Sequence, residues 1–179
     1  MTLFIAFLRG INVGGRTVKN ETLQEAFTSL GFQKIAAYKA SGNVIFEGDT
    51  ISHEEIRKKI EIKLQETLGY EVAVFVRTIT QLKEIIKAEP FSEMQNKEET
   101  SFLITFLASD LAKFPIDLPT TIPKSTAKLI SSKDAEVFSE THGGGEGALP
   151  NPFIESKLKA KATTRNLNIV REIVEKYGS

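Results

Sequence analysis

Leu3-Phe4-Ile5-Ala6-Phe7-Leu8-Arg9-Gly10-Ile11-Asn12-Val13-Gly14-Gly15-Arg16-Thr17 is the stretch from which the fold is read. Up to Leu8 both alternating faces are apolar: Leu3, Ile5 and Phe7 on one, Phe4, Ala6 and Leu8 on the other. Such a strand lies in the middle of a sheet and is covered on both sides. The pattern then breaks into three glycines, an asparagine and two arginines. Glycine lets a backbone turn tightly or approach a ligand, and arginine offers a forked set of donors to an anion.

Working outward, Asn20 is read as the cap of a helix whose stripe is Leu23, Ala26, Phe27 and Leu30, closed by Gly31. A strand from Lys34 to Lys39 and another from Val44 to Glu47 flank the turn Ser41-Gly42-Asn43 and form a hairpin. Ser52 with Glu55 is a capping box opening a helix with Ile56, Ile60, Leu64 and Leu68 inward, ended by Gly69. A strand from Glu71 to Arg77 is again apolar on both faces. The order β-α-β-β-α-β predicts a ferredoxin-like, split β-α-β region over residues 1–77.

Residues 78–179 read as a smaller α+β C-terminal region packed on that sheet. Thr78 caps a helix carrying Ile79, Leu82, Ile85 and Ile86. Strands follow at about 101–108, 127–131 and 136–140, with a Pro-rich passage between the first two, a glycine loop at 143–147 and closing helices at about 152–159 and 164–177. The half echoes β-α-β-β-α without a convincing sequence repeat. A bare apolar sheet would aggregate, so the second face of the first sheet needs a cover, for which the C-terminal half is favoured over another subunit.

Composition narrows the chemistry. The 179 residues are 41% hydrophobic and 26% charged, with 23 basic and 23 acidic side chains, so bulk charge draws the chain to neither nucleic acid nor membrane. Without cysteine there is no disulfide, thiolate site or thiol nucleophile, and two histidines, His53 and His142, do not make a metal cage or triad. Ser41 and Ser156 have no histidine base. No metal, cofactor or catalytic constellation is expected, and the reading leans away from an enzyme. The apolar start lacks a basic leader and a cleavage site, so a soluble cytoplasmic protein with no membrane association is expected. Oligomeric state is left open.

The run Leu8-Arg9-Gly10-Ile11-Asn12-Val13-Gly14-Gly15, followed by Ser41-Gly42-Asn43-Val44-Ile45-Phe46, resembles a bacterial family, domain of unknown function 1697. Ser156-Lys157-Leu158 and Thr163-Thr164-Arg165-Asn166 match its closing motifs. The resemblance implies a small α+β protein with a ferredoxin-like N-terminal part and no established activity. Two departures stand out. Arg16-Thr17 replaces the family's Lys-Asn, and Ile154-Glu155 replaces its Gly-Arg, which removes a cationic donor at that helix start.

Topology places the end of the first strand and the start of the third on one rim, so Arg9, Gly10, Asn12, Gly14, Gly15, Arg16 and Lys19 come beside Ser41, Gly42 and Asn43. Two readings stay open. In one, the asparagines satisfy backbone groups in tight turns and the glycines supply positive φ. In the other, the rim binds a phosphate-bearing small molecule, closed from the other half by Lys157, Arg165 and Asn166. A P-loop is disfavoured: Gly10 to Thr17 fits G-x-x-x-x-G-K-[ST] apart from Arg16, but the helix cap comes too late and the sheet is of the wrong kind. A single-stranded nucleic-acid binder using the basic segments is the alternative, with Phe7 and Phe46 available for base stacking only on an open sheet. The third possibility is a protein interaction module.

Overall fold

The computed structural model describes residues 1–39, 42–49, 52–94, 98–143 and 149–179. The chain is α+β, with two antiparallel sheets in two compact units, Met1–Leu82 and Lys83–Ser179. The second unit is the longer, contrary to the smaller C-terminal region expected.

The first unit runs β1 (Thr2–Arg9), α1 (Asn20–Ser29), β2 (Gln33–Tyr38), β3 (Asn43–Gly48), α2 (His53–Leu68) and β4 (Ala73–Thr78), leading into α3 (Ile79–Lys87) across the division. Its sheet has the order β2-β3-β1-β4. β1 is bonded on both edges: Phe4 faces Phe46 of β3 on one side and Thr78 of β4 on the other. Phe4, Ala6 and Leu8 share one core with Leu23 and Phe27 of α1 and Ile56, Ile60 and Leu64 of α2. The opposite face is buried as well: Ile5 and Phe7 are 0% exposed. The two-faced apolar pattern of β1 was thus a true sign of double burial.

Helix ends follow local chemistry. Ser52 Oγ accepts from Glu55 N–H at 3.2 Å, and Gly69 closes α2 at φ 79°. Thr78 and Gln81 cap α3 reciprocally: Gln81 N–H donates to Thr78 Oγ1 at 3.1 Å and Thr78 N–H to Gln81 Oε1 at 2.8 Å. α1 differs from expectation. Asn20 is its first helical residue, and Lys19 occupies the cap position without a side-chain bond.

The second unit continues with β5 (Thr100–Leu107), β6 (Thr120–Thr121), β7 (Ala127–Lys133), β8 (Glu136–His142), α4 (Asn151–Leu158), β9 (Ala162–Asn166) and α5 (Leu167–Tyr177). Its sheet order is β6-β7-β8-β5-β9. Setting aside the two-residue β6, β5, β7, β8 and β9 take the same relative places as β1, β2, β3 and β4. The Pro-rich passage stands where α1 stood, α4 stands for α2, and α5 follows the fourth strand as α3 does. The repeat absent from the sequence is present in the topology. The other correction is at the C-terminus: residues 162–166 form a strand, and the last helix begins at Leu167 rather than at Thr164. Thr163 and Thr164 are β-branched and pair with Phe106 and Thr105, and Asn166 caps the helix by accepting from Asn168 N–H at 2.9 Å.

Phe46 is the hub of the first core, with ring centroids 5.5 Å from Phe4, 5.2 Å from Phe27 and 4.5 Å from Phe32. Phe46→Ala is expected to destabilise the chain by about 3–5 kcal/mol, read as a lower urea midpoint at unchanged slope.

Candidate functional site

The two glycine-rich corners meet, as the topology required. Leu8 N–H donates to Gly42 O at 2.8 Å, and Phe7 pairs with Asn43 across β1 and β3. Gly42 sits at φ 73°, and a Cβ there would lie 2.8 Å from Ile11 Cδ1 and 3.0 Å from Leu8 Cβ. The hairpin corner therefore presses directly on the first loop, and only a glycine fits between them. Ser41 lies outside the described residues.

Each asparagine has a structural task. Asn12, in the left-handed region at φ 54°, accepts from Val18 N–H through Oδ1 at 2.6 Å. That bond spans six residues and closes the loop on itself just before α1. Asn43 is 1% exposed and donates through Nδ2 to Tyr38 O at 3.1 Å, tying the hairpin across its own corner. Gly14 at φ 60° and Gly15 at φ 79° form the middle of a turn closed by Arg16 N–H on Val13 O at 3.1 Å. Two successive positive φ values at the centre of a four-residue turn describe type I′, which glycine enters without strain. This tip, Val13 to Thr17, is exposed, whereas Ile11 and Val18 on either side are buried and anchor it in the core.

Arg16 adds a contact that the sequence did not disclose. Its guanidinium lies 4.1 Å from the centroid of Tyr70, the residue after the Gly69 cap of α2. Tyr70 packs against the first core, and its hydroxyl oxygen is buried without a hydrogen-bond partner among the described residues. Lys19 is exposed at the far end of the loop. Gly10 turns the chain out of β1 at φ 83°, after Arg9. The loop thus presents two cations and an exposed glycine turn on a frame held by Asn12, Ile11 and Val18.

The three candidates from the C-terminal half belong to the second unit and have local roles there. Lys157, on α4, places its ammonium 5.3 Å from the Phe153 ring centroid. Arg165 donates through Nη1 to Thr163 Oγ1 at 2.7 Å and to Thr164 O at 2.9 Å, and burial draws its guanidinium down to about 10, still cationic at neutral pH. Asn166 is the α5 cap.

Glu54 forms a surface pair with Lys58 at 2.7 Å, which holds its carboxyl below the ordinary range. Among the described residues no group of three or more His, Asp or Glu side chains is placed to hold a metal ion. Among the described residues no helix is long and apolar enough to cross a membrane. Phe7 and Phe46 are not available for base stacking: both are 0% exposed, and Phe46 lies on the helix-covered face, opposite to Phe7.

These features define an α+β protein of two antiparallel units whose first loop is locked against a β-hairpin. Residues 1–129 match the family described as protein of unknown function (DUF1697), and the chain belongs to that family. The fold is shared with the conserved bacterial protein SP0830 from Streptococcus pneumoniae, at a TM-score of 0.71 and 18% identity, covering 100% of this chain and 99% of that one. No curated protein matches the chain.

Gly42→Ala is expected to cost roughly 1–3 kcal/mol, since it combines a left-handed φ with collision against Ile11. Chemical denaturation reads this directly, and a variant of unchanged stability would show that the two corners part easily. Tyr70→Phe removes a buried hydroxyl that has no partner among the described residues, so it should leave stability unchanged or raise it by up to about 1 kcal/mol. A loss in the same assay would mean that the hydroxyl is bonded in solution.

Proposed function

We propose that the β1–α1 loop binds an anionic, phosphate-bearing small molecule. The observation that carries this reading is the combination of a fixed frame and exposed donors. Asn12 is committed to Val18 N–H, so the loop does not have to be ordered when a ligand arrives. Arg16 and Lys19 follow the exposed glycine turn, where backbone N–H groups can approach phosphate oxygens without a side chain intervening. Arg9 and Gly10 start the same loop. Gly42 and Asn43 support it from the hairpin, and Ser41 is carried in the reading from the sequence alone. Lys157, Arg165 and Asn166 have work of their own in the second unit, and the proposal does not depend on them.

Two further readings accompany this one. The order β2-β3-β1-β4, antiparallel throughout, with α1 after β1 and α2 after β3, supports a ferredoxin-like, split β-α-β description of the first unit. The cysteine-free composition fits a cytoplasmic chain that needs no disulfide.

A thermal-shift panel of inorganic phosphate, nucleotides and sugar phosphates tests the loop. At least one phosphate-bearing ligand should raise the midpoint in a concentration-dependent way, and Arg16→Ala should remove most of the rise. No shift across the panel, or an undiminished shift in Arg16→Ala, would overturn the proposal.

A further inference from the structure

A cavity of about 470 Å³ opens in the second unit, within the size range of small-ligand sites. Three parts of the chain line it: the turn after α3, the first residues of β5, and the junction of β9 with α5. Its apolar wall is aromatic. Phe91 and Phe102 stack with centroids 4.7 Å apart, and Phe138 meets Phe91 edge-on at 5.9 Å. The turn that carries Phe91 holds its own shape, with Ser92 N–H donating to Glu89 O at 2.9 Å and Met94 N–H to Phe91 O at 3.0 Å. The wall therefore stands without a strand against it.

The strand that borders the cavity has an open edge. β5 pairs with β8 from Thr100 onward, opposite His142, but with β9 only from Leu103, opposite Asn166. Beyond that rung the chain turns into α5. Leu107 N–H donates to Ala135 O at 2.8 Å, which sets the phase of the ladder: odd positions of β5 bond towards β8 and even positions towards β9. Ile104 and Phe106 find Arg165 and Thr163 there. The backbone of Thr100 and the N–H of Phe102 face the same side, where no strand lies opposite them among the described residues. Both residues line the cavity.

Charge adds a polarity. Among the described residues of the lining, Arg171, exposed on the first turns of α5, is the one cation, and Glu89 on the α3 side is the one anion. The Asn168 amide is already taken by Asn166, so recognition of negative charge falls to Arg171 rather than to the helix end. A strand edge asks for a peptide backbone, the phenyl wall for an apolar side chain, and Arg171 for a carboxylate. Glu89 repels a second acid beside it.

We propose that this cavity takes the free C-terminal end of a polypeptide: its backbone adds to the open edge of β5 at residues 100–102, its apolar last side chain rests on Phe91 and Phe102, and its carboxylate meets Arg171. The site is separate from the β1–α1 loop and does not depend on that loop's ligand.

The test is an NMR titration of the isotope-labelled full chain with the tripeptide glycyl-valyl-leucine. Three probes accompany it: the C-terminal amide, the form methylated at both peptide nitrogens, and free leucine. Saturable shifts at the amides of residues 100–102 and 167–171 are expected with the free-acid tripeptide. Affinity should fall roughly tenfold on amidation, and by a similar factor in Arg171→Gln, the loss of one charge-assisted contact. The N-methylated form and free leucine should bind far more weakly, whereas Arg16→Ala should leave the titration unchanged. The proposal is overturned by absence of saturable shifts into the millimolar range, by equal binding of free leucine or the N-methylated peptide, or by affinity that ignores both the amide and Arg171→Gln.

Discussion

Everything in the first unit is arranged around β1, a strand with no edge and no exposed face. Antiparallel bonds to β3 and β4 use up its backbone, and burial of Phe4 to Leu8 takes both sets of side chains out of water. A strand so enclosed leaves its sheet only at its ends, and the exit at Arg9 and Gly10 is where the candidate loop begins. The same enclosure sets the place of the hairpin. Because β3 pairs with β1 residue by residue, the corner before β3 has to arrive where β1 ends, and Gly42 and Ile11 are pressed together by the register itself.

That pressure explains a division of labour in the loop. Residues that look like ligand donors in the sequence are partly structural: Asn12 holds Val18, Asn43 holds Tyr38, and Gly42 yields space to Ile11. What is left facing water is the turn at Gly14 and Gly15 with Arg16 and Lys19. The structural and functional readings of this motif are therefore not rivals. The asparagines build the frame, and the frame presents the cations. Arg16 is tethered by its contact with Tyr70, which limits its wandering while leaving it exposed.

The second unit repeats the strand order of the first with different means. Where α1 connects the first two strands, a passage with Pro115, Pro119 and Pro123 does so here, and proline forbids the helix that would have made the repeat visible as a pattern. β9 escaped sequence reading for a related reason. Its five residues run straight into α5, so the apolar stripe of Leu167, Val170 and Ile173 draws the helix assignment backward over Thr164 and Arg165. Pairing with β5 overrides it. Among the described residues, the early end of that pairing also leaves the first residues of β5 with a paired strand on one side only.

By itself the sequence determined the elements whose signals are local: the doubly apolar β1, the Ser52 capping box, the Thr78 cap, the Gly69 stop, and the meeting of two corners that follows from strand order. Those are properties of neighbouring residues or of connectivity, and a linear pattern carries them. Tertiary structure alone decided which side chains have a free hand. Asn12 reaching Val18, Arg16 covering Tyr70, Gly42 against Ile11 and the open edge beside Phe91 and Phe102 all depend on distances between segments that nothing in the chain's periodicity records. Packing sets those distances, and packing is a property of the whole core rather than of any one stretch.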